Sequence, residues 1–274
     1  MPEGVPVKFP VARAQESGLN GVMTAKIESL YRYPVKGLSP EPVTRATLKA
    51  GDYFPGDRLF AIENGPSGFD PAAPQHQSKI KFLMLMHHER LAALRTRYDD
   101  ATGTLTIEQD GRNAVRADLA TKEGRLAVEA FFRRFMPAEL RGAPKVLHAE
   151  GHSFTNVPDK FISIINLASV AAIEAVIGAP VHPLRFRANL YVAGWPAWHE
   201  FELLDREIAI GDARLKVTKR TRRCPATEVD PATGVRDLAI PTTLMQTYGH
   251  LDCGVYAQVI AGGEVATGSA IATH

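Results

Sequence analysis

The sequence predicts a β-rich α+β fold, a β-barrel joined to a smaller amino-terminal α/β domain. Short alternating strands separated by Gly-rich turns fill the second half, while the first half mixes strands and a hairpin with one amphipathic helix. Between them lies "EGHSFTNVPDK", a polar stretch without periodicity. The division is expected at about residues 148–158, although the halves could share one sheet. Residues 1–22 read as a loose leader with Met23 as an alternative initiator, 23–150 as the amino-terminal domain and 151–274 as the barrel.

Each element has its own signal. "AKIESLYRYPVKG" alternates as a strand and enters a Pro-Val-Lys-Gly loop, and "GDRLFAIENG" is a second strand closed by Asn-Gly. "GPSGFDPAAPQHQSK" is a surface loop by composition. From Lys81 to Leu94 the pattern is ambiguous: "FLMLM" fits a strand and "HHERLAAL" a short helix. "TGTLTIEQDGRNAVRADL" is a hairpin turning at Asp110-Gly111. Leu126, Val128, Phe131, Phe132 and Phe135 then lie around an amphipathic helix. The second half begins with the strand "FISIIN" and a helix stopped by Gly178. Further strands follow in "ANLYVAG", "REIAIGDARLKVT" and "VYAQVIAGGEVATG", with one short helix between Pro241 and Gly249.

Composition narrows the chemistry. With 45% hydrophobic and 23% charged residues, the 274-residue chain has ample core for one or two domains. A net charge of +2 gives no reason to expect a nucleic-acid partner. No apolar run reaches the ~20 residues that span a bilayer, and the start lacks a secretory apolar region, so a cytoplasmic protein without a membrane partner is expected. Two cysteines are too few for a disulfide framework; a Cys224–Cys253 bridge is possible, free thiols simpler. The nine histidines lack zinc-site spacing, and nucleotide loops and nucleophile elbows are missing.

Cys224 stands out because Lys219, Arg220, Arg222 and Arg223 precede it where a strand ends. Nearby cations favour thiolate over thiol, normally near a pKa of ~8.5, and a thiolate ligates soft metals or carries sulfur. Guanidinium groups also pair with phosphate oxygens. Cysteine with arginines therefore suits an anionic, metal-bearing cofactor. The other reading is a buried apolar cysteine beside a solvated strand edge. Cys253 reads as a packed residue, and Trp195 and Trp198 as either an entrance border or core.

"RRCPATEVDPATG" resembles the core signature of MOSC domains, the molybdenum cofactor sulfurase C-terminal class. "RFRANLYVAG" is similar to that family's Phe-Arg-x-Asn strand, "IESLYRYPVKGLSPEPV" to the start of its amino-terminal associated domain, and "GDRLFAIEN" to the next strand there. The resemblance implies a MOSC barrel and binding of the molybdenum cofactor (molybdopterin), without pyridoxal phosphate. It further implies reduction of N-hydroxylated or N-oxide-type small molecules, as in the family's amidoxime-reducing branch. Carried over, Cys224 is the metal ligand and catalytic residue. Lys36 and Arg58 meet the cofactor phosphate, Arg187 and Asn189 hold the pterin, and Arg222 and Arg223 complete the cofactor-binding set. Asp230 orders its turn or delivers protons.

Two positions depart from the family pattern. Gly37 stands where many relatives have serine, and Arg222 where the reductases often have a small hydroxyl residue. Two cysteines cannot build an iron–sulfur cluster, so electrons are expected from a separate donor protein. A cofactor or persulfide carrier without reductase activity, and a silent barrel binding another anion, remain alternatives.

Overall fold

The computed structural model describes residues 25–273. The leader expected at 1–22 lies outside the described residues. The first half contributes β1 (Ala25–Arg32), β2 (Glu41–Val43), β3 (Arg45–Leu48), β4 (Phe60–Asn64), β5 (Arg95–Asp99), β6 (Thr104–Gln109), β7 (Arg112–Asp118) and α1 (Lys122–Phe135). There follow β8 (Pro144–His148), β9 (Ile162–Asn166), α2 (Leu167–Ile177), β10 (Leu190–Ala193), β11 (Glu207–Ile210) and β12 (Ala213–Arg222). The chain closes with α3 (Ile240–Tyr248), β13 (Asp252–Ala261), β14 (Gly263–Ala266) and β15 (Ala270–Thr273).

The barrel runs β10–β9–β13–β12–β11–β15–β1, and β1 pairs again with β10 to close it, with β2 added along β1. Only β9 and β10 are parallel neighbours, and their crossover contains α2, because a parallel return cannot be made by a tight turn. Closure leaves no free edge in this ring. Its inner face is the expected alternation: Leu215 and Val217 of β12 are buried among Ile27, Ile164, Val192 and Val255, while Lys216 points out. The halves do share one sheet, because β1 belongs to the barrel, and β3 pairs with β14.

The remainder of the first half has its own core. Val128, Phe131 and Phe132 of α1 pack over Leu105, Ile107, Val115 and Ala117 of the three-stranded sheet β5–β6–β7. Thr121 caps α1 by accepting from the Gly124 N–H at 3.0 Å. The hairpin turn sits where expected, with both Asp110 and Gly111 at positive φ. Leu126 departs from expectation and is 44% exposed. It precedes Val128 by two positions, roughly 200° around a helix, and so faces away from the sheet. "FLMLM" is not a strand. Phe82 to Leu85 run buried through the core with one bridge, Glu63 to Phe82, and residues Glu89–Ala93 form a single 3-10 turn.

Gly254 sits in β13 at φ 76°, where an added Cβ would fall 2.4 Å from the Ile164 carbonyl and 3.1 Å from Arg223 Nη2. Backbone on one side and a buried guanidinium on the other leave no room to relax. Gly254→Ala is expected to cost at least about 2 kcal/mol, read as a lowered midpoint in denaturant unfolding.

Candidate functional site

At one end of the barrel a cavity of about 460 Å³ opens between β12, the loop after β1 and the segments around Arg58 and Arg187. Lys36, Arg58, Arg187, Asn189, Arg222, Arg223 and Cys224 all line it, so the structure brings these seven residues together, while Asp230 is not among the lining residues. Nine lining residues are Lys or Arg, and none is Asp or Glu.

The buried end is held by the Tyr-Pro-Val-Lys-Gly loop. The Lys36 N–H donates to the Phe60 carbonyl at 2.8 Å and the Arg58 N–H to the Tyr33 carbonyl at 2.8 Å, tying the loop to β4. Lys36 is 4% exposed, and its Nζ donates to Asn156 Oδ1 at 2.7 Å and to the Phe154 carbonyl at 2.8 Å. No carboxylate touches it. Burial, with the charges of Arg58, Lys79 and Arg187 added, holds its amine well below the usual 10.5. Arg58 is paired with Asp57, whose other oxygen accepts from the Tyr33 N–H at 2.8 Å. The Arg187 guanidinium lies 4.2 Å from the Tyr33 ring centroid, and its Nη2 is buried without a hydrogen-bond partner. Burial, reinforced by Arg58, lowers Arg187 to about 10, so it stays charged near neutral pH.

The cysteine end follows β12. Cys224 is extended (φ −134°, ψ 171°) and half-buried, and it precedes the short turn Pro225–Glu228; Thr227 donates to its carbonyl from N and Oγ1, each at 3.0 Å. The basic run ahead of it does not act as one group. Lys219 pairs with Asp159 at 3.1 Å, and Arg220 lies 4.2 Å from the Phe201 ring. Arg223 turns inward, donating to the Cys253 and Phe186 carbonyls at 2.7 and 2.8 Å, with its Nη2 unpartnered. Arg222 is exposed and makes no hydrogen bond or ion pair among the described residues. Both cysteines are free; burial pushes the Cys253 thiol far up, consistent with a packed residue.

Asn189 braces the wall. Its Oδ1 accepts from Ser163 N and Oγ at 3.1 and 3.0 Å, and its Nδ2 donates to the Tyr31 carbonyl at 3.2 Å. Asp230 does order its turn: Oδ1 accepts from the N–H groups of Ala232 and Thr233 at 2.8 and 2.7 Å. Burial raises that carboxyl, but these donors and Arg185 outweigh it and leave it below the ordinary 3.8. Arg185, 3% exposed, is ion-paired to Asp230 and Asp237. Arg236 straps the cysteine turn to the first half, donating to the Pro225, Leu85 and Met86 carbonyls at 2.7, 2.9 and 2.8 Å.

Lys79, Asn156 and Arg236 carried no motif, and Arg185, the first residue of "RFRANLYVAG", was given no role; their partners come from chain segments distant in sequence. Neither Trp195 nor Trp198 lines the cavity. Trp195 is buried in the barrel core, and Trp198 packs on Tyr248 in the cluster formed by α2 and α3. Gly37 is required where it stands. At φ 83°, a Cβ would lie 2.8 Å from the Leu83 carbonyl, which leaves no room for a side chain such as the serine expected from the family resemblance.

Residues 24–138 match the family model of the MOSC N-terminal beta barrel domain, and residues 151–272 that of the MOSC domain. The chain belongs to the MOSC domain proteins. The mitochondrial amidoxime-reducing component 1 of Homo sapiens is 25% identical over 250 residues, covering 82% of this MOSC chain and 72% of that protein. The Mus musculus protein of that name is 27% identical over 119 residues, 43% of this chain and 32% of its own. Among solved structures, the YuaD protein of Bacillus subtilis aligns over 91% of this chain and 94% of its own, at 16% identity and a TM-score of 0.44. YiiM of Escherichia coli aligns over 41% and 53%, at 19% identity and a TM-score of 0.32. No described helix is long and apolar enough to cross a membrane.

The Lys36 environment gives a pH test. The folded protein binds fewer protons at Lys36 than the unfolded chain between its lowered value and 10.5, so stability rises with pH across that window. Lys36→Met is expected to flatten the rise in urea unfolding measured from neutral to alkaline pH. Pyrophosphate at ten times its Kd should raise Tm by about 3 °C in the wild type and by less in Lys36→Met.

Proposed function

We propose that the chain binds the molybdenum cofactor and removes the oxygen atom from N-hydroxylated or N-oxide-type small molecules. The observation that carries this reading is a single cavity whose lining holds a free thiol, Cys224, together with nine cationic residues and no carboxylate. Membership of the MOSC family supports the cofactor, and the name of the human relative, an amidoxime-reducing component, supports the reaction.

The residues fit the group. A phosphate monoester needs several charge-assisted donors, and Lys36, Arg58 and Arg187 supply them with Lys79 beside them. Arg187 Nη2 is a buried donor that lacks an acceptor, a cost that an anion removes. A thiolate at Cys224 suits a soft metal. Asn189 keeps its brace and offers its remaining amide hydrogen to a pterin edge, and Arg223 offers Nη2. Bound there, the cofactor supplies two-electron redox chemistry. The net reaction takes two electrons and two protons for each N–O bond broken and releases one water. The two electrons come from a separate donor protein, and Met84, Leu85 and Phe161 supply apolar wall to the same cavity.

Metal and pterin analysis of protein made in a cofactor-producing host tests this reading. The wild type is expected to hold one molybdenum and one pterin per chain and to reduce an amidoxime with an artificial donor. Cys224→Ala is expected to lose the metal and at least about a hundredfold in turnover. Persulfide on Cys224 without molybdenum would instead mark a sulfur carrier, and neither signal a barrel for another anion.

A further inference from the structure

Charge at the two ends of the cavity is unequally accounted for. Of the nine cationic lining residues, Arg58, Arg185 and Lys219 have acid partners in Asp57, Asp230 with Asp237, and Asp159. The proposed cofactor phosphate would occupy the buried end, at Lys36, Lys79 and Arg187. That leaves Arg220, Arg222 and Arg223, and of these only the Arg222 side chain has no hydrogen bond, ion pair or ring contact among the described residues.

The strand geometry explains why Arg222 and not its neighbours faces the reacting end. In an extended chain alternate residues share a face; β12 ends at Arg222, the Arg223 N–H continues the ladder to the Leu251 carbonyl at 2.8 Å, and Cys224 is itself extended. Arg222 and Cys224 are therefore on one side, about 6.6 Å apart along the strand, and Arg223 points to the other. Its inward hydrogen bonds to the Cys253 and Phe186 carbonyls agree with that assignment. Across the ladder Arg222 stands opposite Asp252, yet no ion pair joins them. Arg220 already lies over Phe201. Arg222 is thus a guanidinium beside the thiol, open to solvent, with every donor available.

Product charge sharpens the point. Reduction of an amidoxime yields an amidine, which takes up a proton and becomes cationic. A cavity without one lining carboxylate offers a cationic product nothing, and an anionic group on the same molecule reverses the balance. We infer that the natural substrate carries an anionic group, a carboxylate or a phosphate ester, alongside its N–O bond, and that Arg222 is the residue that selects it. This deepens the proposed reductase reading and rests on it.

The test compares benzamidoxime with its para-carboxylate and para-phosphonate analogues on the molybdenum-loaded enzyme. The ratio of kcat/KM, anionic over neutral, is taken within each variant so that differences in cofactor loading cancel. The wild-type ratio is expected to be about ten or more, carried by KM and shrinking as salt is added. Arg222→Gln should bring it to about one, and Arg222→Lys should restore part of it. The better of the two analogues identifies which anion is held. Calorimetric Kd values for the para-carboxylate amidine product should weaken about tenfold in Arg222→Gln, a readout that requires no turnover. A wild-type ratio near one, or a ratio unchanged in Arg222→Gln, overturns the inference and leaves the reductase reading intact. Stoichiometric molybdenum with no turnover of any of the three compounds overturns the reductase reading itself.

Discussion

The pairing of β1 with β10 is the contact on which the rest depends. It closes the barrel, and it also places the loop after β1 against the segment before β10. Asn189 sits at that junction. Its backbone carbonyl accepts from the Tyr31 N–H at 2.9 Å, and its side chain reaches the Tyr31 carbonyl and the Ser163 hydroxyl. The same junction brings Tyr33 under Arg187, fixes Asp57 beside Arg58 and leaves Lys36 pointing into the cavity. Site and fold are consequently one construction, and the cations are near each other because the barrel is shut.

That closeness has an electrostatic cost. Like charges with poor access to water repel, and a buried donor without an acceptor forfeits its hydration. The fold offsets part of this with carbonyls at Lys36, the Asp57 carboxylate at Arg58 and the Tyr33 ring face at Arg187. The offset is incomplete, as the unpartnered Nη2 atoms of Arg187 and Arg223 show. A phosphorylated ligand, as proposed above, would complete it. Part of the binding energy of such a ligand is therefore relief of repulsion already present in the protein.

Strand alternation made the barrel legible before any coordinates, because its inner face is buried and the period of two cannot be mistaken there. Asp110-Gly111 and Gly178 were equally clear, since their backbone demands are local. "FLMLM" misled because a fully buried segment is apolar on all sides whether or not it pairs with a neighbour. Leu126 misled through a spacing of two, which places it opposite the packed face. At the site, the cysteine signature, the Phe-Arg-x-Asn segment, the Tyr-Pro-Val-Lys loop and the Asp-Arg pair were readable as motifs, although Phe186 ends a 3-10 turn, Arg187 is left-handed and the strand itself begins only at Leu190. What was not readable is how the basic run divides. Lys219 goes to Asp159, Arg220 to Phe201 and Arg223 to two carbonyls, partners set by tertiary structure and not by neighbours in sequence.

Arg236 carries a last consequence. One guanidinium grips Pro225 beside the cysteine and, through Leu85 and Met86, the first half of the chain. Together with β1 in the ring and β3 on β14, it means that the two halves were never separable modules. A fragment beginning at residue 151 would be a six-stranded ribbon with β10 and β15 as raw edges, a template for aggregation more than a smaller enzyme. Exchange of halves between relatives would have to preserve the strand, the strap and the cavity at once, so the unit that can be inherited intact is the whole described chain.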